Sequence, residues 1–289
     1  MSYKGFTIKN VHYASLTSLT TVDTITKSFT GEADIGIATA KGVLQIPLFK
    51  QKSAIFIAGR RSYYDILFKT FGKGNADIFA FQDYNIGWIY QPNKKNKIKF
   101  TYYHERDEAG TVVNETGFSK GSAYKKQNAF GLSWKYNINN QFSNEAVLYQ
   151  NTFSISLTEE RRNVSTFYKY NFTTAIADVG LKNTLTYTQP KATSFIGFEA
   201  IRHNFMPTKF IGDEQGEQFN IKNIDDFNAL DVSFFASSLI QLGSNAKLNV
   251  GLRNNNYVTN GSTFNSIEPR LTYNYQIKTR VLLKYLIHD

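Results

Sequence analysis

The residues of this chain that could perform chemistry are few and scattered. Its four histidines stand at positions 12, 104, 203 and 288, without the spacing of paired metal ligands. The chain has no cysteine, which excludes thiolate ligands and thiol nucleophiles. The motifs of serine hydrolases, phosphate-binding loops and zinc proteases do not occur in it. We therefore predict no catalytic residue, no metal and no cofactor, and a protein that is not an enzyme.

Two acidic groups could attract a cation. The first is His104-Glu105 with Asp107, at a predicted transition from strand to loop. The second group consists of Asp213, Glu214, Glu217, Asp225 and Asp226. Its clustered carboxylates suggest a Ca²⁺ site. A solvated loop explains both groups more simply.

The most notable charged cluster is Arg60 and Arg61, followed closely by Tyr63, Tyr64 and Asp65. Arginine pairs with phosphates and carboxylates in a bidentate manner, so an anionic ligand or lipopolysaccharide phosphate could bind there. The alternative is a strand end whose arginines are paired inside the protein. Successive strand residues point to opposite faces, which favours the second interpretation.

Glu268 and Arg270 lie on either side of Pro269 and share one face of a predicted strand. Leu271 and Tyr273 occupy the opposite face. We expect Glu268 and Arg270 to form an ion pair on the polar side of that strand.

All of these residues lie in a chain of 289 residues that is dominated by period-two alternation of apolar and polar residues. This period predicts β-strands, and no helical pattern of similar length competes with it. We predict about 13 strands and an all-β, antiparallel meander. The strands are expected at 17–29, 32–46, 52–64, 77–91, 97–107, 124–138, 141–156, 168–188, 194–204, 229–241, 246–257, 265–277 and 279–287.

Strand length and loop length indicate a membrane protein. No apolar stretch approaches the ~20 residues of a transmembrane helix, whereas a transmembrane strand needs only ~9–11 residues. Many predicted strands exceed the ~5–6 residues that are usual in soluble sheets. Short turns alternate with predicted long polar loops at 65–76, 108–123, 157–167 and 205–228. This arrangement is typical of an outer-membrane β-barrel.

Aromatic pairs precede three of the short turns. Amphipathic rings collect at the boundary between membrane and water, so the pairs predict an aromatic girdle. The alternative is an ordinary aromatic core. The pairs are Trp88 with Tyr90, Trp134 with Tyr136, and Tyr273 with Tyr275.

The chain carries 33 Lys and Arg against 23 Asp and Glu, a net charge of +10, which raises nucleic-acid binding as an alternative. The cations are spread singly over polar faces and turns and form no basic helix or compact stripe. We therefore predict no nucleic-acid partner.

Three stretches of the sequence resemble the barrel of TonB-dependent receptors, in the branch that carries a carboxypeptidase-like regulatory domain before the plug. Together, in this order and spacing, they cover nearly the whole chain. The first comprises Asp34–Thr39, Ile46–Ser53 and Arg60–Asp65; the second Ile176–Lys182, Ile196–Glu199 and His203–Pro207; and the third Ile267–Tyr273.

The resemblance implies a 22-stranded barrel filled by an N-terminal plug, of which this chain would be an incomplete part. It also implies import of nutrients such as iron chelates, cobalamin or oligosaccharides, energised through TonB. We expect no plug, no signal peptide and no C-terminal strands here, and hence a fragment of a receptor barrel. Residues 1–16 would lead in from the plug, and residues 17–289 would form the partial barrel.

The partners implied are outer-membrane lipid, lipopolysaccharide and an unidentified small molecule or glycan, with TonB acting only through the missing plug. The expected location is the Gram-negative outer membrane. Two alternatives stay open. One is a small, stand-alone barrel that acts as a passive pore or adhesin, and the other is a soluble or surface β-structure used for binding.

Overall fold

The computed structural model of the chain describes residues 24–71, 76–113, 118–162, 166–220, 225–278 and 281–287. The predicted lead-in at 1–16, most of the first predicted strand, His12 and His288 lie outside these residues.

The described residues form one antiparallel sheet of 14 strands. Strands that follow one another in sequence are neighbours in the sheet, with one exception at β10. This short strand pairs with β9 but not with β11, and β11 pairs directly with β9 and with β12. Within the described residues β1 and β14 do not pair with each other, so this sheet is open. The strands are β1 Thr30–Ile35, β2 Thr39–Leu48, β3 Ser53–Ser62, β4 Ala76–Asn93, β5 Asn96–Val113, β6 Phe118–Asn137, β7 Phe142–Arg162, β8 Phe167–Gln189, β9 Ala192–Glu214, β10 Glu217–Asn220, β11 Phe227–Gln241, β12 Ala246–Thr259, β13 Ser262–Lys278 and β14 Val281–Ile287.

The register gives the sheet two chemically different faces. On what we call the apolar face, Trp88, Phe100, Leu132, Leu148 and Leu181 stand directly opposite one another on five successive strands. Such side chains are widely exposed; Ile196 and Phe234, for example, are 59% and 56% exposed. No second layer of described residues covers them.

The opposite face, which we call the polar face, carries the alternate residues. Asp83, Glu105 and Gln127 form one of its rows, across β4, β5 and β6. Because the side-chain period of a strand is two, one register unites the polar residues on one side and the apolar residues on the other.

Asparagine side chains close two of the tight turns at one end of the sheet, which we call the turn end. The Asn93 carboxamide oxygen accepts hydrogen bonds from the backbone N–H of Lys95 and Asn96, both at 2.9 Å. Asn139 does the same for Gln141 and Phe142 at 2.8 Å. Such bonds replace backbone partners in the turn, which explains the Asn-rich sequence there.

Two predictions for the first part of the chain are wrong. The segment predicted as one strand, 32–46, is the hairpin of β1 and β2, in which Gly36 donates to the Thr39 carbonyl at 2.8 Å. The described part of the predicted strand 17–29, residues 24–29, is not a strand. Apolar alternation continues through the turn of the hairpin, which is why the pattern concealed it.

The predicted long loops are also mostly wrong. At 108–123, 157–167 and 205–228 the strands continue far beyond their expected ends, and β9 and β10 form a further hairpin. The segment 65–76 contains an eight-residue helix, α1, at Tyr64–Phe71. Polar composition suggested loops, but polar residues pair across strands wherever both faces meet water.

At the end of the sheet opposite the turn end, the far end, the two faces of β7 and β8 exchange polarity without a break in their register. The polar face there carries Ile155, Leu157 and Phe172. The other face carries hydroxyl and amide pairs, such as Ser156 with Thr173 at 3.0 Å. The face that is apolar near the turn end therefore becomes hydrophilic at the far end.

No helix among the described residues is long and apolar enough to cross a membrane.

Candidate functional site

Most of the ion pairs on the polar face belong to two networks. The first network lies on β3 to β6. Arg60 pairs with Asp83 through its Nε. On the next strands, Tyr103 donates to Glu105 at 3.2 Å, and the Lys125 ammonium lies 2.6 Å from the same carboxylate. Lys125 of β6 also lies 3.5 Å from Asp107, so one lysine contacts two carboxylates of β5.

The second network is centred on Arg253 of β12. Its Nη2 donates to the Ser233 hydroxyl at 2.7 Å and lies 3.5 Å from a Glu199 carboxylate oxygen. Tyr149 donates to the other oxygen of Glu199 at 3.0 Å. The side chains of Arg253 and Glu199 are only 13% and 14% exposed, so each needs the other as a partner.

The second network extends to the next strand. Arg253 Nε donates to the Asn255 carboxamide oxygen at 2.6 Å, and Asn255 in turn donates to Glu268. Arg270 donates to Glu268 at 2.7 Å. The predicted pair of Glu268 and Arg270 is thus in contact, and it is the end of a chain of contacts that begins on β7. Pro269 lies opposite Leu252, on the apolar face.

A glycine makes the second network possible. Tyr149 on β7 must cross β8 to reach Glu199 on β9. It crosses over Gly180, where a Cβ atom would lie 2.1 Å from the Tyr149 Cζ. Gly197 likewise leaves room for the Phe235 ring, which would lie 2.7 Å from a Cβ atom at that position. The sequence pattern does not reveal this arrangement, because Tyr149 and Gly180 are 31 residues apart.

The arginine cluster does not form one site. Arg60 bonds to Asp83 on the polar face, whereas Arg61 bonds to Gln82 at 3.0 Å and to Asp65 at 2.9 Å. The two guanidinium groups have separate partners, as expected for successive strand residues that point to opposite faces.

The rest of the cluster leads into α1. Asp65 lies in the first turn of this helix, where the bond to Arg61 links the helix to β3. Tyr64 packs edge-on against Phe79 at 5.9 Å, and the Tyr63 hydroxyl contacts the Thr39 carbonyl at 3.4 Å.

The two predicted cation-binding groups are engaged by protein. Lys125 contacts Glu105 and Asp107, and His104 bonds to Asn128 at 2.7 Å on the other face. Among the described residues, no group of three or more His, Asp or Glu is arranged to hold a metal ion.

Three of the five carboxylates of the second group are engaged by other groups at the far end. Asp213 accepts from the Gly216 N–H at 3.0 Å, and Asp226 pairs with Lys209 at 3.2 Å. Glu214 accepts from Tyr170 at 2.5 Å, and this bond raises the pKa of the Tyr170 phenol.

The aromatic pairs predicted for the girdle are each in contact. Trp88 and Tyr90 stack at 5.8 Å, Trp134 and Tyr136 lie at 6.2 Å, and Tyr273 and Tyr275 stack at 6.5 Å. All three pairs lie on the apolar face near the turn end. Phe142 and Tyr187 form a fourth pair there, with ring centroids at 4.5 Å, which sequence analysis missed because the rings come from different strands.

A second group of rings lies on the polar face toward the far end, and we call it the aromatic array. His203 stacks on Phe205 at 5.6 Å, Phe205 stacks on Phe227 at 4.8 Å, and Tyr257 lies 6.5 Å from both His203 and Phe264. Its five rings come from β9, β11, β12 and β13. The sequence does not reveal the array, because period-two alternation does not show which residues of neighbouring strands face each other.

No protein-family model matches the sequence, and no curated protein matches it either. Solved structures do share its fold. The copper transporter OprC is 11% identical, with a TM-score of 0.58. BauA, the ferric preacinetobactin receptor from Acinetobacter baumannii, is 10% identical, with a TM-score of 0.56. The ferric citrate transporter FecA in its unliganded form is 10% identical, with a TM-score of 0.54.

The likeness covers 87%, 89% and 93% of this chain, but only 43%, 46% and 45% of the three solved chains. This chain thus spans less than half the length of those proteins. They are TonB-dependent receptors, so the described strands have the fold of part of the barrel wall of such receptors, as the resemblance implied. At these identities the likeness concerns the fold alone.

Proposed function

We propose that this chain forms part of the wall of an outer-membrane transport receptor that is energised through TonB. The observation that carries the proposal is the two-faced sheet. One face exposes apolar side chains over successive strands, and the opposite face holds the two ionic networks.

The apolar face requires an apolar solvent. Leaving one large aliphatic or aromatic side chain in water instead of burying it costs about 1.5–3 kcal/mol, and this face carries such side chains on successive strands. Exposed patches of this kind on soluble proteins are normally covered by a partner. Hydrocarbon covers the face at no such cost, and the four aromatic pairs at the turn end match the girdle of a membrane boundary.

Strand length supports the same arrangement. β7, β8 and β9 have 21, 23 and 23 residues, whereas a tilted strand crosses a bilayer with ~9–11. The exchange of face polarity in β7 and β8 fits strands whose far halves stand in water. In this arrangement the far end lies outside the cell, and lipopolysaccharide surrounds the upper edge of the apolar band.

The polar face would then line the lumen and contact a plug. The charges of the two networks are paired with each other, so these parts of the wall present neutral ion pairs to a plug. Because these charges already have partners in the wall, the contacts between wall and plug would be weak. Weak contacts allow the plug to shift when TonB pulls on it. The ligand would enter at the far end.

Membrane fractionation and uptake test this proposal in cells that express the complete reading frame containing these strands. We expect the protein to be found in the outer-membrane fraction and to resist extraction with urea. We also expect nutrient uptake through it to be lost when the tonB gene is deleted. A water-soluble, monomeric protein would overturn the proposal. Uptake that persists without TonB would indicate a passive pore instead.

A further inference from the structure

We propose that a groove on the apolar face, beside the turn between β8 and β9, binds one anionic phospholipid of the periplasmic leaflet. The groove holds an acyl chain of this lipid, and the Lys191 ammonium in the turn binds its phosphate. The inference rests on the proposed function, because it requires that the apolar face meets lipid and that the turn end faces the periplasm.

The groove has a volume of about 560 Å³ and crosses five strands, from β7 to β12. This volume lies within the ~300–1,000 Å³ that is usual for small-molecule sites, so the groove exceeds ordinary surface roughness. Small side chains on two adjacent rows of the register form its floor: Ser194, Ala236 and Ser238. Larger apolar side chains surround this floor: Phe142, Leu185, Tyr187, Ile196, Val250 and Leu252.

The shape of the groove suits a hydrocarbon chain. Its walls stand out from the sheet, since Ile196 and Leu252 are 59% and 53% exposed. The hydroxyls of Ser194 and Ser238 bond to each other at 2.9 Å, which lowers the cost of covering them with hydrocarbon. Bulk lipid is as apolar as these walls, so close packing alone holds a chain in the groove. The groove therefore positions a lipid, and selectivity must come from its headgroup.

The turn end offers that headgroup a cationic surface. Five of its turns are described, at 49–52, 94–95, 138–141, 190–191 and 242–245, and none of them contains Asp or Glu. They contain five lysines: Lys50, Lys52, Lys94, Lys95 and Lys191. Lysines next to a membrane surface attract anionic lipids, and the attraction grows with each added lysine. The turns therefore favour a lipid with a net negative charge.

Lys191 joins this charge to the groove. It lies three residues before Ser194, its side chain is exposed, and its ammonium has no ion-pair partner among the described residues. The Tyr187 hydroxyl, at the edge of the groove, accepts from Gln189 at 2.7 Å and can donate its own proton. From the groove outward, the order is apolar slot, hydroxyl donor and ammonium. A phospholipid presents the matching order of acyl chain, ester carbonyl and phosphate.

The charge at the turn end distinguishes between phospholipids. Phosphatidylglycerol offers its phosphate to Lys191 without a cation of its own. Phosphatidylethanolamine carries an ammonium group, which neutralises its phosphate and is repelled by the lysines of the turns. The site should therefore prefer phosphatidylglycerol.

The experiment uses the protein from its complete reading frame, purified from outer membranes in detergent and stripped of lipid. Native mass spectrometry counts the phospholipid molecules that it retains after equal additions of phosphatidylglycerol or phosphatidylethanolamine. We expect one firmly held phosphatidylglycerol per protein, retained at least fivefold more than phosphatidylethanolamine.

Variants connect this retention to the groove and to Lys191. Ala236→Phe fills the groove from its floor and Lys191→Gln removes the cation, so each should lower retention of phosphatidylglycerol at least fivefold. Both side chains are exposed, so the strands should still pair, which heat-modifiable migration on gels checks. The matched controls are Ala146→Phe, on the apolar face outside the groove, and Lys94→Gln, in another turn. Both controls should retain the lipid as the parent protein does.

Three results would overturn the lipid site: equal retention of the two lipids by the parent, parent-like retention by Lys191→Gln, or parent-like retention by Ala236→Phe. A lipid-free dimer that Ala236→Phe dissociates would also overturn it and would assign the groove to a second copy of the chain. The proposed transport function stands in each case if the protein resists urea extraction and requires TonB. A water-soluble protein would refute the transport function itself.

Discussion

At the scale of single residues, small side chains decide what large ones can reach. Tyr149 donates to Glu199 across an intervening strand only because Gly180 has no side chain. The bond then holds Glu199 against Arg253. A glycine that weakens a strand in isolation thereby supports a buried network on this sheet.

Gly180→Ala should disrupt the second network. The new Cβ would lie 2.1 Å from the Tyr149 Cζ, so the ring must leave and Glu199 loses a donor. We expect a loss of about 1–3 kcal/mol in unfolding free energy, measured by urea titration in lipid vesicles. Gly121→Ala is the control, because nothing lies within 4 Å of a Cβ atom there. Equal stability of the two variants would contradict the role of Gly180.

Glu199 and Arg253 should be coupled. Glu199→Gln leaves a largely buried guanidinium without its carboxylate, and we expect about 3–5 kcal/mol of destabilisation. The double variant Glu199→Gln, Arg253→Met removes both charges and should recover much of that loss. A double-mutant cycle of unfolding free energies measures the coupling. Additive effects would mean that the 3.5 Å contact contributes nothing.

Leu132 tests which face meets lipid. It lies between Phe100 and Leu148 on the apolar face. Leu132→Arg should lower stability in vesicles by about 2–4 kcal/mol if this position lies near the bilayer midplane. Gln127→Arg, on the polar face of the same strand beside Glu105, should change it by less than about 0.5 kcal/mol. Similar losses for the two variants would show that this face does not contact hydrocarbon.

At the scale of elements, β7 and β8 each have two parts whose faces differ in polarity. In β7 and β8 the pairing runs unbroken from Phe142 opposite Tyr187 to Arg162 opposite Phe167. The chemistry of the two faces nevertheless exchanges along the way. Hydrogen bonds between strands do not depend on side chains, so the ladder continues while the polarity of each face changes; in the proposed membrane arrangement this is the change from hydrocarbon to water.

Shortening the hairpin of β7 and β8 should therefore spare insertion. Replacing residues 156–173 by Asn-Gly leaves both strands longer than the ~11 residues that cross a bilayer. We expect normal outer-membrane assembly, measured as heat-modifiable migration on gels. Excision of residues 130–150, the turn-end half of the hairpin of β6 and β7, is the control and should abolish it. If assembly fails in both variants, residues 156–173 do not lie outside the membrane as proposed.

At the scale of the whole molecule, the sheet described here has two strands, β1 and β14, that are not joined to each other. In lipid each unpaired backbone group costs several kcal/mol, so membrane sheets close into barrels. The matched part is less than half of each of the three similar solved chains.

A polypeptide limited to residues 24–287 should therefore fail to insert as a monomer. We expect aggregation after refolding into lipid vesicles, detected by sedimentation and by the absence of heat-modifiable migration. The protein from the complete reading frame, refolded in parallel, is the comparison. Efficient monomeric insertion of the short polypeptide would contradict the cost assigned to its open edges.

The sequence alone determined the class of structure, because alternation with a period of two is a local property that any reader of the chain can count. It predicted an antiparallel meander, most strand positions from β3 onward, the tight turns at one end, three aromatic pairs next to those turns and the contact of Glu268 with Arg270. Each of these depends on residues that are close in sequence or repeat a local pattern.

Only the tertiary structure decided what depends on register between strands. The hairpin of β1 and β2, the far halves of the long strands, the passage of Tyr149 over Gly180 and the aromatic array all join residues whose proximity no local pattern encodes. Polar strand ends look like loops because composition records which residues meet water, whereas backbone pairing is set by the neighbouring strand. The chemistry of the polar face therefore became visible only when the strands were placed side by side.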